Sequence, residues 1–477
     1  MTERLRAQDW AELLLDPGAE PLDAPAAAAD PLEWPGYTAL RDEAPGDEAV
    51  RSWAGRVDGG AVVLIAFDFA HLGGSMGSGV GARVVRAFAE ATRRRLPVVT
   101  VTATGGARMQ EGMVSLAQMT RTTIAAQAHR DAGLLQLTVA TDPTTGGVYV
   151  SFAAQADLIA AEPGAYVAFA GPRVAASMGG DEAAAAGNRA EAALAHGLVD
   201  AVVARADLRA WIARAVRAVA PGVPVPVAPE PVEAAGGGAW RRVLDARADA
   251  RPRAAAYLAH FTELTRLSGD RAGGVDDGVI CALGRLHGRP LALVALDRTP
   301  VTPAGYRTAW RLLDTAERLG LPVLTLVDTP GATPAPEAER AGQAHAIART
   351  FDKLLAVAVP TVCVVTGEGG SGGALALAST DRLLMQRGAV FSVIAPEGAA
   401  AILHRDPGRA AEVAELLQPT AERLVALGIA DDLVPDDPAG ALAHAAAALD
   451  ELAAMDRAVL RAERHSRWLA IGGGFDA

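Results

Sequence analysis

The sequence is nearly free of cysteine: Cys281 and Cys363 are the only two in 477 residues, and both stand in apolar runs. Two cysteines exclude a disulfide framework and a four-cysteine zinc site within this chain, and they fit a reducing compartment. Long apolar stretches are missing as well. No uncharged run reaches the roughly 18 residues that a membrane span requires, and MTERLRAQDW is charged where a secretory signal is apolar. A soluble, cytoplasmic chain is expected. Positive charge is in deficit, 44 Lys and Arg against 56 Asp and Glu, for a formal charge of -12. That balance repels nucleic acid and anionic membrane, so neither is expected as a partner and an anionic ligand needs a local site.

Familiar catalytic signatures are scarce too. The nine histidines show no H-E-x-x-H spacing, and no metal is expected in this chain. GGSMGSGVG at Gly73 lacks the G-x-G-x-x-G spacing, and no G-x-x-x-x-G-K-[ST] occurs. Ser371, in G-G-S-G-G, matches a nucleophile elbow only through generic glycines, so a serine hydrolase is set aside.

What is present is apolar bulk and glycine: 51% apolar residues and 50 glycines. A chain this long exceeds one core, and two domains of roughly 200 residues are expected. The break falls at APGVPVPVAPEPVEAAGGG, where Pro and Gly replace apolar periodicity. We therefore expect domains at 1–219 and 240–477 joined by a linker at 220–239. On both sides strand-like runs (AVVLIAF, PVVTVTA; PLALVAL, PVLTLVD) alternate with helix-like ones (VGARVVRAFAEATRRR; AGYRTAWRLLDTAERLG). This alternation indicates an α/β architecture.

The halves also match in order. Thr104–Ala107 reads TGGA and Thr329–Ala332 reads TPGA; Gly146 and Gly147 open one helix, Gly372 and Gly373 another; apolar strands start at Gly164 and Gly388. The offsets are 225, 226 and 224 residues. Near-constant spacing of three ordered motifs argues for duplication of one domain.

A strand that ends in glycines and opens a helix leaves backbone N–H groups unpaired, with the positive end of the helix dipole behind them. Such donors suit a negatively charged oxygen. The alternative is that these glycines serve only sharp geometry and close packing. Each half supplies two turns and hence one candidate oxyanion hole. In the first half the residues are Gly105, Gly106 and Ala107 with Gly146 and Gly147. In the second they are Gly331 and Ala332 with Gly372, Gly373 and Ala374.

These motifs carry a family resemblance. From about Leu14 to Arg205 the chain resembles the β subunit of bacterial acetyl-CoA carboxylase carboxyltransferase, through DPLEWPGY, FDFAHLGGSMGSGVGARVVRA, TGGARMQEGMVSLAQM and TDPTTGGVYVSFAAQADLIAAEPGAYVAFAGPRV. From about Trp240 it resembles the α subunit, through WRRVLDAR, GDRAGGVDDGVI, DTPGA, TGEGGSGGALALASTDRLLM and FSVIAPEGAAAIL. The resemblance implies two tandem crotonase-like domains. It implies acyl-CoA bound by the first half, biotin on a separate carrier protein met by the second, and a biotin carboxylase as further partner. It also implies a homodimer or higher homo-oligomer, and malonyl-CoA made from acetyl-CoA for fatty-acid synthesis. On matching positions Gly105, Gly106, Gly146 and Gly147 face the thioester oxygen. Gly331, Ala332, Gly372, Gly373 and Ala374 face biotin. Arg108 is a candidate for a CoA phosphate, with pairing to Glu111 as the alternative; Arg93, Arg94 and Arg95 close a helix, where its dipole accounts for them, with steering of CoA as the alternative.

The chain departs from the family in having no four-Cys zinc ribbon, in joining both subunits, and in reading TPAPEAERAGQ after DTPGA. There Thr333 and Ala341 stand where the family has Tyr and Arg, while Glu339 and Gln343 match. Two alternatives remain beside the carboxyltransferase: a malonyl-thioester decarboxylase on the same scaffold, and a catalytically silent structural subunit.

Overall fold

In the computed structural model of the chain the described residues are 4–22, 30–171, 187–234 and 236–471. The end of the AFAGPRV stretch, from residue 172, and residue 235 of the Pro- and Gly-rich segment lie outside them. The chain forms two compact units: Met1–Arg217 with Arg271–Gly273, and Ala218–Asp270 with Gly274–Ala477. Residues 220–234 carry no helix or strand.

Each unit is built on one eight-stranded sheet. The first holds β1 (Glu20–Pro21), β2 (Val50–Val57), β3 (Gly60–Phe67), β4 (Val98–Thr104), β5 (Gln136–Thr145), β6 (Leu158–Ala161), β7 (Val167–Ala168) and β8 (Ala201–Val202). The second holds β9 (Thr262–Leu267), β10 (Val279–Leu286), β11 (Arg289–Leu296), β12 (Val323–Thr329), β13 (Thr361–Gly370), β14 (Arg382–Gln386), β15 (Val390–Ser392) and β16 (Asp432–Val434). Their spatial orders are β1-β2-β3-β4-β5-β6-β8, with β7 on β5, and β9-β10-β11-β12-β13-β14-β16, with β15 on β13. Strand for strand, the second sheet repeats the first. This is the tandem crotonase-like fold.

The repetition reaches into the turns. β2 and β3 meet through Asp58 (φ 45) and Gly59 (φ 80), and β10 and β11 through His287 (φ 46) and Gly288 (φ 78). Two consecutive positive φ values make the two-residue hairpin turn whose twist matches the strands. From β3 and β11 onward the strands run parallel. Helices cover them, so their apolar runs are buried continuously, as the all-buried β4 and β12 are. Val98 pairs with Gln136 and Val323 with Thr361, keeping an offset of 225.

The helices that cover these strands begin and end on local signals. Pro303–Leu319 starts at Thr302, whose side chain accepts from the Gly305 N–H, and stops at Gly320 with φ 69. In the first unit Ser78–Arg94 packs Val84, Ala87 and Phe88 against Val63, Ile65 and Phe67 of β3. Arg93 and Arg94 pair with Glu90, and Arg94 also with Glu20, so surface partners account for this basic helix end. In the second unit the last helix, Arg457–Ala470, is tied down by Arg464. It meets both carboxylate oxygens of Asp381 at 2.8 Å and the carbonyls of Leu354, Val357 and Val359.

Among the described residues no helix is long and apolar enough to cross a membrane. Cys281 and Cys363 are free and buried, and burial pushes both thiols up to about 12, which removes them as nucleophiles.

Candidate active site

At the ends of β4 and β12 the chain makes the same turn twice. The Thr104 hydroxyl accepts from the Gly106 N–H at 3.0 Å, and the Thr329 hydroxyl from the Gly331 N–H at 3.0 Å. Gly106 (φ 109) and Gly331 (φ 121) take a backbone shape that only glycine adopts readily. Their carbonyls then accept from Met76 and Val301, and Arg108 and Thr333 donate back to those residues. This one-residue bridge leaves Ala107 and Ala332 between two bonded neighbours. Among the described residues neither their N–H groups nor those of Gly147 and Gly372 meet an acceptor. Each unit therefore offers at least two unspent amide donors, among them Ala107 with Gly147 and Ala332 with Gly372.

This geometry corrects the sequence reading in three ways. First, glycines expected as donors are spent: Gly105 donates to the Gly73 carbonyl, Gly106 to Thr104, Gly146 to the Phe169 carbonyl and Gly331 to Thr329. They shape the cradles and do not line them with free N–H groups. Second, the glycine pairs are out of step by one. Gly146 (φ 61) and Ser371 (φ 59) share the left-handed residue that opens the helix. The equivalent of Gly147 is thus Gly372, and the offset here is 225, not 226. Gly373 and Ala374 lie inside the helix Ser371–Ala378 and are buried. Third, Arg108 is closed to a phosphate. It is 2% exposed, and its donors go to Glu48 (2.6 Å and 3.3 Å), the Ser75 carbonyl (2.9 Å), the Ser75 hydroxyl (3.2 Å), the Tyr37 hydroxyl (3.2 Å) and Glu111 (3.5 Å). Burial alone pulls its pKa down; Glu48 and Tyr37 overcompensate and hold it above the usual value. With every donor engaged, its role is to brace the turn.

Glu111 completes this brace. Its carboxylate accepts from the Ser78 N–H (2.6 Å), at the start of a helix, and from the Tyr37 hydroxyl (2.7 Å). Burial, and then Glu111, push Tyr37 up to about 12. In the second unit Thr333 occupies the Arg108 position, and Asp276 does the capping, accepting from the Thr302 N–H and hydroxyl. Tyr306 donates to the Gly373 carbonyl at 2.9 Å and so fixes the helix behind the second cradle. Sequence reasoning missed Glu48, Tyr37, Asp276 and Tyr306 because nothing in their spacing ties them to the turns.

Packing explains why the turns cannot accept side chains freely. A Cβ at Gly146 would stand 2.6 Å from Gly106 Cα, and one at Gly370 would stand 2.0 Å from the Pro330 carbonyl oxygen. In front of Gly372 there is open space to 4 Å. A Cβ at Gly147 would point to Met76 and Met119, both 3.2 Å away, so a side chain there crowds methionines and does not fill the place of an oxygen. Ser371 is exposed and its hydroxyl makes no hydrogen bond among the described residues, so no base activates it.

A duplicated α/β unit with a pair of free backbone donors at each strand-to-helix corner defines a tandem crotonase-like protein. Residues 238–471 match the family model for acetyl co-enzyme A carboxylase carboxyltransferase-like proteins. The chain is 41% identical to the fused acetyl-coenzyme A carboxylase carboxyl transferase subunits beta/alpha of Saccharopolyspora erythraea, over 95% of this chain and 85% of that one. It is 33% identical to the Clostridium tetani counterpart over 90% and 79%. The fold is shared with the transcarboxylase 12S structure that has methylmalonyl-coenzyme A bound, at TM-score 0.79 and 22% identity, covering 94% of this chain and 90% of that one. A single-chain, multi-domain long-chain acyl-CoA carboxylase aligns at TM-score 0.75 and 22% identity, over 93% of this chain and 45% of that one. The chain belongs to the acetyl-CoA carboxylase carboxyltransferase family, with the β and α subunits joined, and it is a carboxyltransferase.

Proposed function

We propose that this chain transfers the carboxyl group of carboxybiotin, borne on a separate biotin carboxyl carrier protein charged by a biotin carboxylase, to acetyl-CoA, giving malonyl-CoA for fatty-acid synthesis in the cytoplasm. The observation that carries the reading is the pair of unspent amides in each unit, one pair for each oxygen that gains negative charge. Ala107 and Gly147 donate to the thioester oxygen as the α-proton leaves. Ala332 and Gly372, the latter with nothing within 4 Å of where a Cβ would stand, donate to the ureido oxygen. When bound, biotin supplies the carboxyl group and, once relieved of it, a nitrogen base. The protein then needs no side-chain nucleophile, in keeping with the unassisted Ser371 and the two buried thiols. Preorganised donors of this kind contribute about 10²–10³ in turnover each.

The assay runs the reaction backwards. Purified protein with malonyl-CoA and biocytin is expected to release acetyl-CoA only when biocytin is present. Release without it replaces the reading by a decarboxylase; no turnover with either malonyl- or methylmalonyl-CoA replaces it by a silent subunit.

Assembly with a second copy belongs to the same proposal. Met109, Met113, Leu116 and Ile124, 78%, 73%, 45% and 61% exposed, recur at helical spacing on and just before the helix Gly112–Asp131. Large apolar side chains left exposed along one helix favour burial against a partner. Met113→Glu is expected to shift sedimentation toward a smaller species with the far-ultraviolet spectrum unchanged; unchanged sedimentation removes these side chains from the interface.

A further inference from the structure

The two cradles differ in one side chain. At the left-handed residue that opens the helix the first unit has Gly146 and the second Ser371, at φ 61 and φ 59. Glycine is the residue this conformation favours, and Ser371 is flanked by glycines on both sides. A serine kept at the one strained position of a glycine run breaks the local rule, which points to a use for its hydroxyl.

The packing around it fits such a use. In the first unit a Cβ at 146 is excluded by Gly106 Cα at 2.6 Å. In the second, the close approach of the two turns has moved one residue back, to Gly370, whose Cβ would meet the Pro330 oxygen at 2.0 Å and the Gly331 nitrogen at 2.7 Å. Thr145 fills the matching position in the first unit and donates to the Thr104 carbonyl. That exchange frees position 371 for a side chain, which lies exposed beside Gly372 with no hydrogen-bond partner among the described residues.

The chemistry of the two ligands differs in the same sense. A thioester presents only an acceptor oxygen, and backbone donors suffice for it. A ureido ring presents an acceptor oxygen flanked by N–H donors, so a site that reads it needs an acceptor beside its amides. Resting on the biotin-side reading of the second cradle, we propose that the Ser371 hydroxyl accepts a hydrogen bond from a ureido N–H. Ser371 thereby gives this cradle its preference for a urea over a thioester.

The test measures binding. Ser371→Gly removes the hydroxyl and relieves the positive φ, so the melting temperature is expected to hold or rise. Biocytin affinity, by ligand-detected NMR or calorimetry, is expected to fall about 3–10-fold, the range of one hydrogen bond. The KM for acyl-CoA is expected to stay unchanged. A biocytin analogue methylated at both ureido nitrogens carries no donor. Wild type is expected to prefer biocytin to this analogue more strongly than Ser371→Gly does, by the same 3–10-fold. Equal preference in the two proteins, or unchanged biocytin affinity in the variant, overturns the assignment. Wild-type protein that binds neither compound fails the biotin-side reading itself, and the assignment with it.

Discussion

Gly146→Ala is expected to cut carboxyl transfer by about 10²-fold or more while leaving a folded protein, because one added methyl group would separate the two turns that hold the first cradle together. The new Cβ stands 2.6 Å from Gly106 Cα, a backbone atom with no flexible side chain to yield. Gly106 precedes Ala107 directly, and Gly146 precedes Gly147, so moving the glycines apart moves both free amides. A donor shifted by a few tenths of an ångström no longer meets the oxygen at hydrogen-bond distance. The alanine also takes φ 61, at a cost of about 1–2 kcal/mol. That loss is small beside the stability of a two-unit protein, so circular dichroism and thermal unfolding are expected to show a melting temperature lowered by a few degrees. Biocytin binding, which the proposed function assigns to the second cradle, is expected to persist. Turnover within tenfold of wild type in a folded Gly146→Ala protein would remove Ala107 and Gly147 from the reaction.

The duplication was legible in the sequence because buried parallel strands must be apolar throughout, and PVVTVTA and PVLTLVD say so at a fixed distance. The turns were legible as well, since a strand that doubles back against a second backbone leaves room for little but glycine. What sequence could not provide was the phase of the second turn. Matching glycine to glycine set Gly146 against Gly372, whereas the structure sets it against Ser371, because the fold retains a backbone angle and not a residue type. Nor does composition tell which glycine N–H groups are spent. Gly105 and Gly146 are consumed by the Gly73 and Phe169 carbonyls, partners that lie 32 and 23 positions away along the chain. Arg108 shows the same limit: Glu111 is visible three residues on, but Glu48, its nearer partner at 2.6 Å, lies 60 positions upstream on no recognisable spacing.

Arg108→Met is accordingly expected to act on the fold before it acts on any ligand. Met matches the volume of the aliphatic stem but leaves Glu48, 7% exposed, and Glu111, 1% exposed, without their counter-charge. Breaking a buried ion pair by removing one partner costs about 3–5 kcal/mol, more than the pair contributes relative to apolar neighbours, because the remaining charge keeps its desolvation penalty. Thermal or urea unfolding is expected to show that loss, with hydrogen exchange accelerating in β4 and in the helix Ser78–Arg94, whose first N–H is held by Glu111. Adding Glu48→Gln removes one orphaned charge and is expected to recover part of the stability, giving a coupling energy of about 1–3 kcal/mol in the double-mutant cycle. A phosphate contact predicts the opposite pattern: a raised KM for acyl-CoA, unchanged unfolding, and no coupling to Glu48. The two outcomes separate on stability alone, before any turnover is measured, and they decide whether Arg108 meets the substrate or braces the turn that carries Ala107.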